Sequence, residues 1–306
     1  MNVAVLGAGS TGRDIATVCA RAGNTVRLQS DDATRAMDSI DNVEHRIVKA
    51  HEGREISDET RRAAIDGLEA TTNLSAVVSD ADIVIETTTE TGEELQERFA
   101  EVEGYVDRET LITTTSTGVS VTAAAAGLRH PDRALGLNVF EPPTTPVIEL
   151  ILADQTTADA VDRTRQFLKG LETTAVLVRD GPGIASQRLA LALEVEAMRA
   201  VDDDVVSVEG VDHLLQKGLN FPVGPLERAD RAGLDDRLET LEALSDALGD
   251  RFAPPAVLRE RVESGNTGMD AGEGFYVWDS GEPVEPALAE LEIPERDDQS
   301  DDPAHR

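Results

Sequence analysis

The feature that most constrains the fold is a regular alternation. Short β-rich runs at 3–7, 25–29, 82–86, 110–114, 134–140, 147–152 and 174–178 are interleaved with helix-length segments at 11–22, 33–50, 58–68, 92–104 and 158–169. Strands alternating with helices predict a parallel sheet covered on both faces, hence an α/β domain. After DGPG at 180–183 the strand pattern stops, and residues 184–204, 208–218, 225–230, 234–248 and 255–263 read as helices. The predicted organisation is an α/β domain over 1–180, an all-α C-terminal domain over 181–280 and an acidic, proline-bearing tail over 281–306.

The first strand runs into GAGSTG at 7–12, and the next segment is helical. A GxGxxG in that setting predicts a dinucleotide site in a Rossmann-type doubly wound sheet. Gly7 permits the tight turn, Gly9 lets a pyrophosphate approach the backbone, and Gly12 allows the helix to pack close to the strand, while the helix N-terminus attracts the anion. The second strand ends near Ser30 and Asp31, where an acid would take the adenosine ribose hydroxyls. Two successive aspartates, Asp31 and Asp32, oppose a 2′-phosphate, so the expected cofactor is NAD.

Net charge is −32, with 60 acidic against 28 basic residues. Such a field repels nucleic acid and anionic membranes, which excludes both as expected partners. The acids are spread along the whole chain and only three lysines occur (Lys49, Lys169, Lys217), a composition that resembles proteins of halophilic archaea. A single cysteine, Cys19, excludes an internal disulfide and sits in an apolar helical pattern. No signal-like or membrane-length apolar run is present, so a cytoplasmic protein is expected. No metal-ligand pattern stands out.

The motifs GAGSTG (7–12), SDADIVIETTTE (79–90), TTTSTGVSVT (113–122), GLNVFEPP (136–143), DGPGIASQRL (180–189), FPVGPLERADRAGLD (221–235) and GEGFYVWD (272–279) resemble, in order and spacing, those of the 3-hydroxyacyl-CoA dehydrogenase family. The resemblance implies a Rossmann-type domain and a helical domain that makes a homodimer. It also implies NAD-dependent interconversion of a 3-hydroxyacyl-CoA, or a related 3-hydroxy acid, and its 3-keto form. In that family a histidine takes the hydroxyl proton, a glutamate orients the histidine, and a serine and an asparagine hydrogen-bond the substrate oxygen.

These roles carry over unevenly. The serine position holds Thr117, the histidine position Asn138 and the asparagine position Gln187. If EPPTTP contains a two-residue insertion, the glutamate position holds Leu152, with Glu149 and Glu141 the nearest acids. Glu90 matches a family acid near the cofactor, the lysine expected after it falls on Leu95, and Thr115 belongs to a hydroxyl cluster expected to floor the nicotinamide ribose. Histidine and glutamate are therefore expected to be missing together. Thr117, Asn138 and Gln187 remain as hydrogen-bonders, and Glu141 is the candidate base beside them. The alternative reading is a non-catalytic NAD- or acyl-CoA-binding paralogue.

Overall fold

The computed structural model describes residues 1–88, 91–140 and 146–288. They divide into two compact units, with the boundary between Ile184 and Ala185.

The first unit runs β1 (Asn2–Leu6), α1 (Ser10–Arg21), β2 (Thr25–Gln29), α2 (Ala33–Glu52), α3 (Asp58–Asp66), β3 (Leu68–Thr71), α4 (Leu74–Val78), β4 (Ile83–Glu86), α5 (Gly92–Glu103), β5 (Leu111–Thr114), α6 (Val121–Ala125), β6 (Ala134–Val139), β7 (Val147–Leu152), α7 (Ala158–Gly170) and β8 (Thr174–Arg179). The eight strands form one sheet in the order β3-β2-β1-β4-β5-β6-β7-β8. This is the doubly wound arrangement predicted from the alternation, extended by two strands at one edge.

Two features depart from the expectation. Residues 68–71 form the edge strand β3, where a helix was expected to run on to 68. And β7 runs antiparallel to β6. The link between them is 140–146, far shorter than a parallel crossover requires, so only a reversal of direction is open to it.

The sheet has two chemically distinct faces. Val5, Leu28, Ile85, Leu135, Leu137 and Leu150 face one core, packed with residues of α1, α2 and α7. Ala4, Leu6, Val84, Ile112, Ala134 and Ile151 face the other, packed with residues of α4, α5 and α6. Side chains alternate along a strand, so every residue's face is fixed by its register. Cys19 belongs to the first core, where burial pushes its thiol up to about 12.

The second unit contains α8 (Ala185–Asp202), α9 (Val208–His213), α10 (Pro225–Ala232), α11 (Leu234–Leu248), α12 (Ala256–Glu263) and a hairpin of β9 (Tyr276–Asp279) with β10 (Glu282–Pro286). It is helical as predicted, with that hairpin added. Strand β10 also extends ordered structure past Gly281, where the sequence suggested a loose tail. Phe275, Tyr276 and Trp278 are buried in the core of this unit, as expected of packing residues. Asp230 anchors them by accepting hydrogen bonds from the Phe275 and Tyr276 amides and from the Trp278 indole.

Candidate active site

The glycine loop takes the form its sequence implies. Gly7 has φ +116°, a conformation open mainly to glycine, and a Cβ on Gly12 would lie 1.9 Å from the Gly7 carbonyl oxygen. A Cβ on Gly9, in contrast, would meet nothing within 4 Å. Open space therefore lies against the first turn of α1, which carries no acidic side chain and has Gly9 as its N-cap. That combination of free amides, positive helix end and clearance fits a pyrophosphate.

At the tip of β2 the two candidate ribose ligands separate. Ser30 is buried, and its hydroxyl accepts from the Asp32 amide at 3.4 Å, so it serves the turn. Asp32 accepts from the Arg35 amide and caps α2. Asp31 is exposed, with Oδ1 held by the Gln29 side-chain amide at 2.9 Å. The geometry thus favours Asp31 over Ser30 as the residue that meets a ribose.

The C-terminal ends of β4 and β5 form a buried polar network that sequence reading did not single out. Glu86, at the end of β4, is 1% exposed. Its carboxylate accepts from the Thr88 hydroxyl at 2.7 Å and the Thr114 hydroxyl at 3.1 Å, and Thr114 in turn accepts from the Ser116 amide. The Thr115 amide donates to the Glu86 carbonyl at 2.8 Å. The turn carrying Thr115 and the half-buried Thr117 is thereby tied to the end of β4. Thr113 donates to the Val84 carbonyl and so has a structural role. Nothing local in the sequence set this strand-end glutamate apart from a solvated one.

Asn138 lies on β6 directly opposite Glu149 on β7. Its side-chain Nδ2 donates to Glu149 Oε2 at 2.8 Å, and Glu149 is only 4% exposed. Both project from the face that carries Glu86 and Thr114, because Glu86, Thr114, Gly136 and Ile151 form one register row and Asn138 and Glu149 lie two residues away along their strands.

Among the remaining candidates, Gln187 is half-buried in the first turn of α8, in the second unit. Glu90 and Glu141 lie outside the described residues. Leu95 is fully buried on α5, so that position is core and not a surface contact. His45 and His213 are exposed, the latter 4.0 Å from Glu209. His51 hydrogen-bonds the Ile56 carbonyl through Nδ1. His130 precedes β6, at the strand end opposite Asn138.

Residues 2–181 match the family model described as 3-hydroxyacyl-CoA dehydrogenase, NAD binding domain, and residues 183–278 match 3-hydroxyacyl-CoA dehydrogenase, C-terminal domain. The chain belongs to the 3-hydroxyacyl-CoA dehydrogenase family. It is an NAD-dependent oxidoreductase of that kind, and the non-catalytic alternative gains no support over it. The chain is 31% identical over 284 residues to a 3-hydroxybutyryl-CoA dehydrogenase of Mycobacterium tuberculosis, with 90% of this chain and 98% of that one covered. It is also 31% identical over 279 residues to 3-hydroxyadipyl-CoA dehydrogenase of Escherichia coli, where 90% of this chain spans 58% of that longer protein. The solved (S)-3-hydroxybutyryl-CoA dehydrogenase of Ralstonia eutropha superposes with a TM-score of 0.85 at 27% identity, covering 91% of this chain and 99% of that one.

The register separates the sequence candidates for the family's glutamate position. Leu152 pairs with Leu135 and packs with the first core, on the face away from Asn138. A carboxylate does face position 138, and it is that of Glu149.

Proposed function

We propose that this chain interconverts a 3-hydroxyacyl-CoA and the corresponding 3-ketoacyl-CoA, with the substrate oxygen held by Thr117 and Asn138. The observation that carries the reading is the conjunction, in one chain, of the glycine loop with its clearance beside Gly9 and an amide–carboxylate pair on the adjoining strands β6 and β7. Bound NAD supplies the hydride acceptor for C3 of the alcohol. The chain's own residues then bind and orient. Gly7, Gly9 and Gly12 shape the pyrophosphate cradle, Asp31 meets the ribose, and Thr115, with its neighbour Glu86, braces the turn that presents Thr117. The same reading places the protein in the cytoplasm as a homodimer, with its acid-rich surface an adaptation to high salt, as in halophilic archaea.

The test is direct. The purified chain, NADH and acetoacetyl-CoA are combined in 2 M KCl, and loss of NADH absorbance is followed (the salt is about 2 M so that like-charge repulsion is screened). Turnover is expected. NADH binding with no turnover on any 3-ketoacyl-CoA would overturn the reading. A panel of CoA esters against free 3-keto acids separates the ester substrate from a free acid.

A further inference from the structure

Oxidation of an alcohol by hydride transfer requires an acceptor for the hydroxyl proton. An amide cannot serve, because the Asn138 side chain is neither a base nor an acid in water's pH range. The described histidines of the first unit lie elsewhere: His45 on the exposed side of α2, His51 bonded to the Ile56 carbonyl, and His130 at the far end of β6. Among the described acids on the Asn138 face of the sheet, two stand near the strand ends, Glu86 and Glu149. Glu86 is committed to Thr88 and Thr114 on both of its oxygens. Glu149 lies 2.8 Å from the amide proposed to hold the substrate oxygen.

We infer that Glu149 is the proton acceptor of this dehydrogenase, taking over directly the role that the replaced histidine plays elsewhere in the family. The inference rests on the functional reading above. In the oxidative direction the substrate O–H bond breaks and its proton passes to a Glu149 carboxylate oxygen. The O–H electron pair becomes the second C–O bond of the ketone, and the C3 hydrogen leaves with its pair to NAD, which is reduced. In the reverse direction the protonated Glu149 donates to the ketone oxygen as hydride arrives. Asn138 keeps Glu149 and the substrate oxygen in register. Helix α6, which packs on β6 and β7, has no ionisable side chain, and Asp180 beyond it is bonded to Ser120 and to the Thr122 amide. Among the described residues, Glu86 is a second carboxylate on this face, two residues along the strands from the Asn138–Glu149 row.

The test uses Glu149→Gln, which can still accept the Asn138 hydrogen bond but cannot take a proton. Its kcat should fall by about 10²–10⁴, the usual range for loss of a general base, with NADH affinity unchanged. Glu149→Asp should recover part of the loss. Adding Asn138→His to Glu149→Gln should restore turnover, because an imidazole then takes the proton. A readout independent of turnover is proton uptake when acetoacetyl-CoA binds without NADH, measured calorimetrically in buffers of different ionisation heat. The native chain should take up protons and Glu149→Gln should not. Glu149→Gln within threefold of native kcat, or equal proton uptake in the two, overturns the assignment alone. Failure of the Asn138→His rescue in a folded, NADH-binding protein points to a structural role for Glu149 and overturns it as well. A native chain that binds NADH and reduces no 3-ketoacyl-CoA overturns the functional reading and the assignment together.

Discussion

The register of β6 and β7 makes a prediction about rebuilding the family dyad. In Asn138 the Nδ2 atom is one bond from Cγ, and in a histidine Nδ1 is too. Asn138→His therefore sets an Nδ1–H close to where Nδ2 now donates to Glu149 at 2.8 Å, leaving Nε2 on the far side of the ring. The dyad forms without a second substitution. A free imidazole is more basic than a free carboxylate by about two pKa units, and with proton transfer half developed this yields roughly a tenfold gain in kcat for a chain that already has a carboxylate base. Were no base present, the gain would approach the full range of about 10²–10⁴. Leu152→Glu, in contrast, puts a carboxylate opposite Leu135 against the first core. It gives up leucine packing and sets a charge on an apolar face, a cost of about 2 kcal/mol at this partly buried site. For a unit of this size that lowers Tm by roughly 4–8 °C. The assay is kcat with acetoacetyl-CoA and NADH, together with thermal unfolding, for Asn138→His with and without Leu152→Glu. A double variant faster than Asn138→His alone would refute the register argument.

Three further outcomes follow from the structure. Gly12→Ala drives a methyl group into the Gly7 carbonyl oxygen and should weaken NADH binding by at least about tenfold, roughly 1.4 kcal/mol, measured by fluorescence titration. Asp230→Ala leaves the Phe275 and Tyr276 amides and the Trp278 indole as buried donors without their acceptor, at about 1–3 kcal/mol each, and should unfold the second unit near ambient temperature by circular dichroism. Burial opposes the charge of Glu103, but the Arg129 and His130 amides with the Arg129 and Arg133 guanidinium groups outweigh it and hold its carboxyl below the usual range. Its folded-state pKa is depressed, so its contribution is present above the unfolded-state value and is lost as pH falls through the folded one. Between pH 7 and 3 the native urea midpoint should therefore drop further than that of Glu103→Gln.

The parts of the fold that depend on local pattern were legible in the sequence. The alternation, the glycine loop and the helical second half need only neighbours along the chain to be read. The orientation of β7 was readable too, from the brevity of 140–146, but the eye follows apolar content before loop length. Glu149 was harder. Its meaning comes from pairing with a residue eleven positions away, which no local pattern along the chain shows. A step of an odd number of residues changes the face of a strand, so Glu149 and Leu152, three apart, point to opposite faces. Glu86 stayed hidden for a related reason, since nothing local distinguishes a strand-end glutamate that binds Thr114 from one that meets solvent.

That face rule also bears on how the chain could lose its histidine. A dyad of imidazole and carboxylate has two separable jobs, accepting a proton and keeping the acceptor aligned. On this sheet the carboxylate is fixed by its own strand, by burial and by a neutral hydrogen-bond donor across the ladder. Replacing the imidazole with a shorter amide removes a base and brings no new charge onto the face. The remaining carboxylate is then left beside the amide that addresses the substrate oxygen. Had the acid been lost instead, an imidazolium formed during turnover would have lacked its partner in a buried setting, where an unpaired charge is costly. On this register the carboxylate opposite position 138 can hold its place and take the proton without an imidazole beside it.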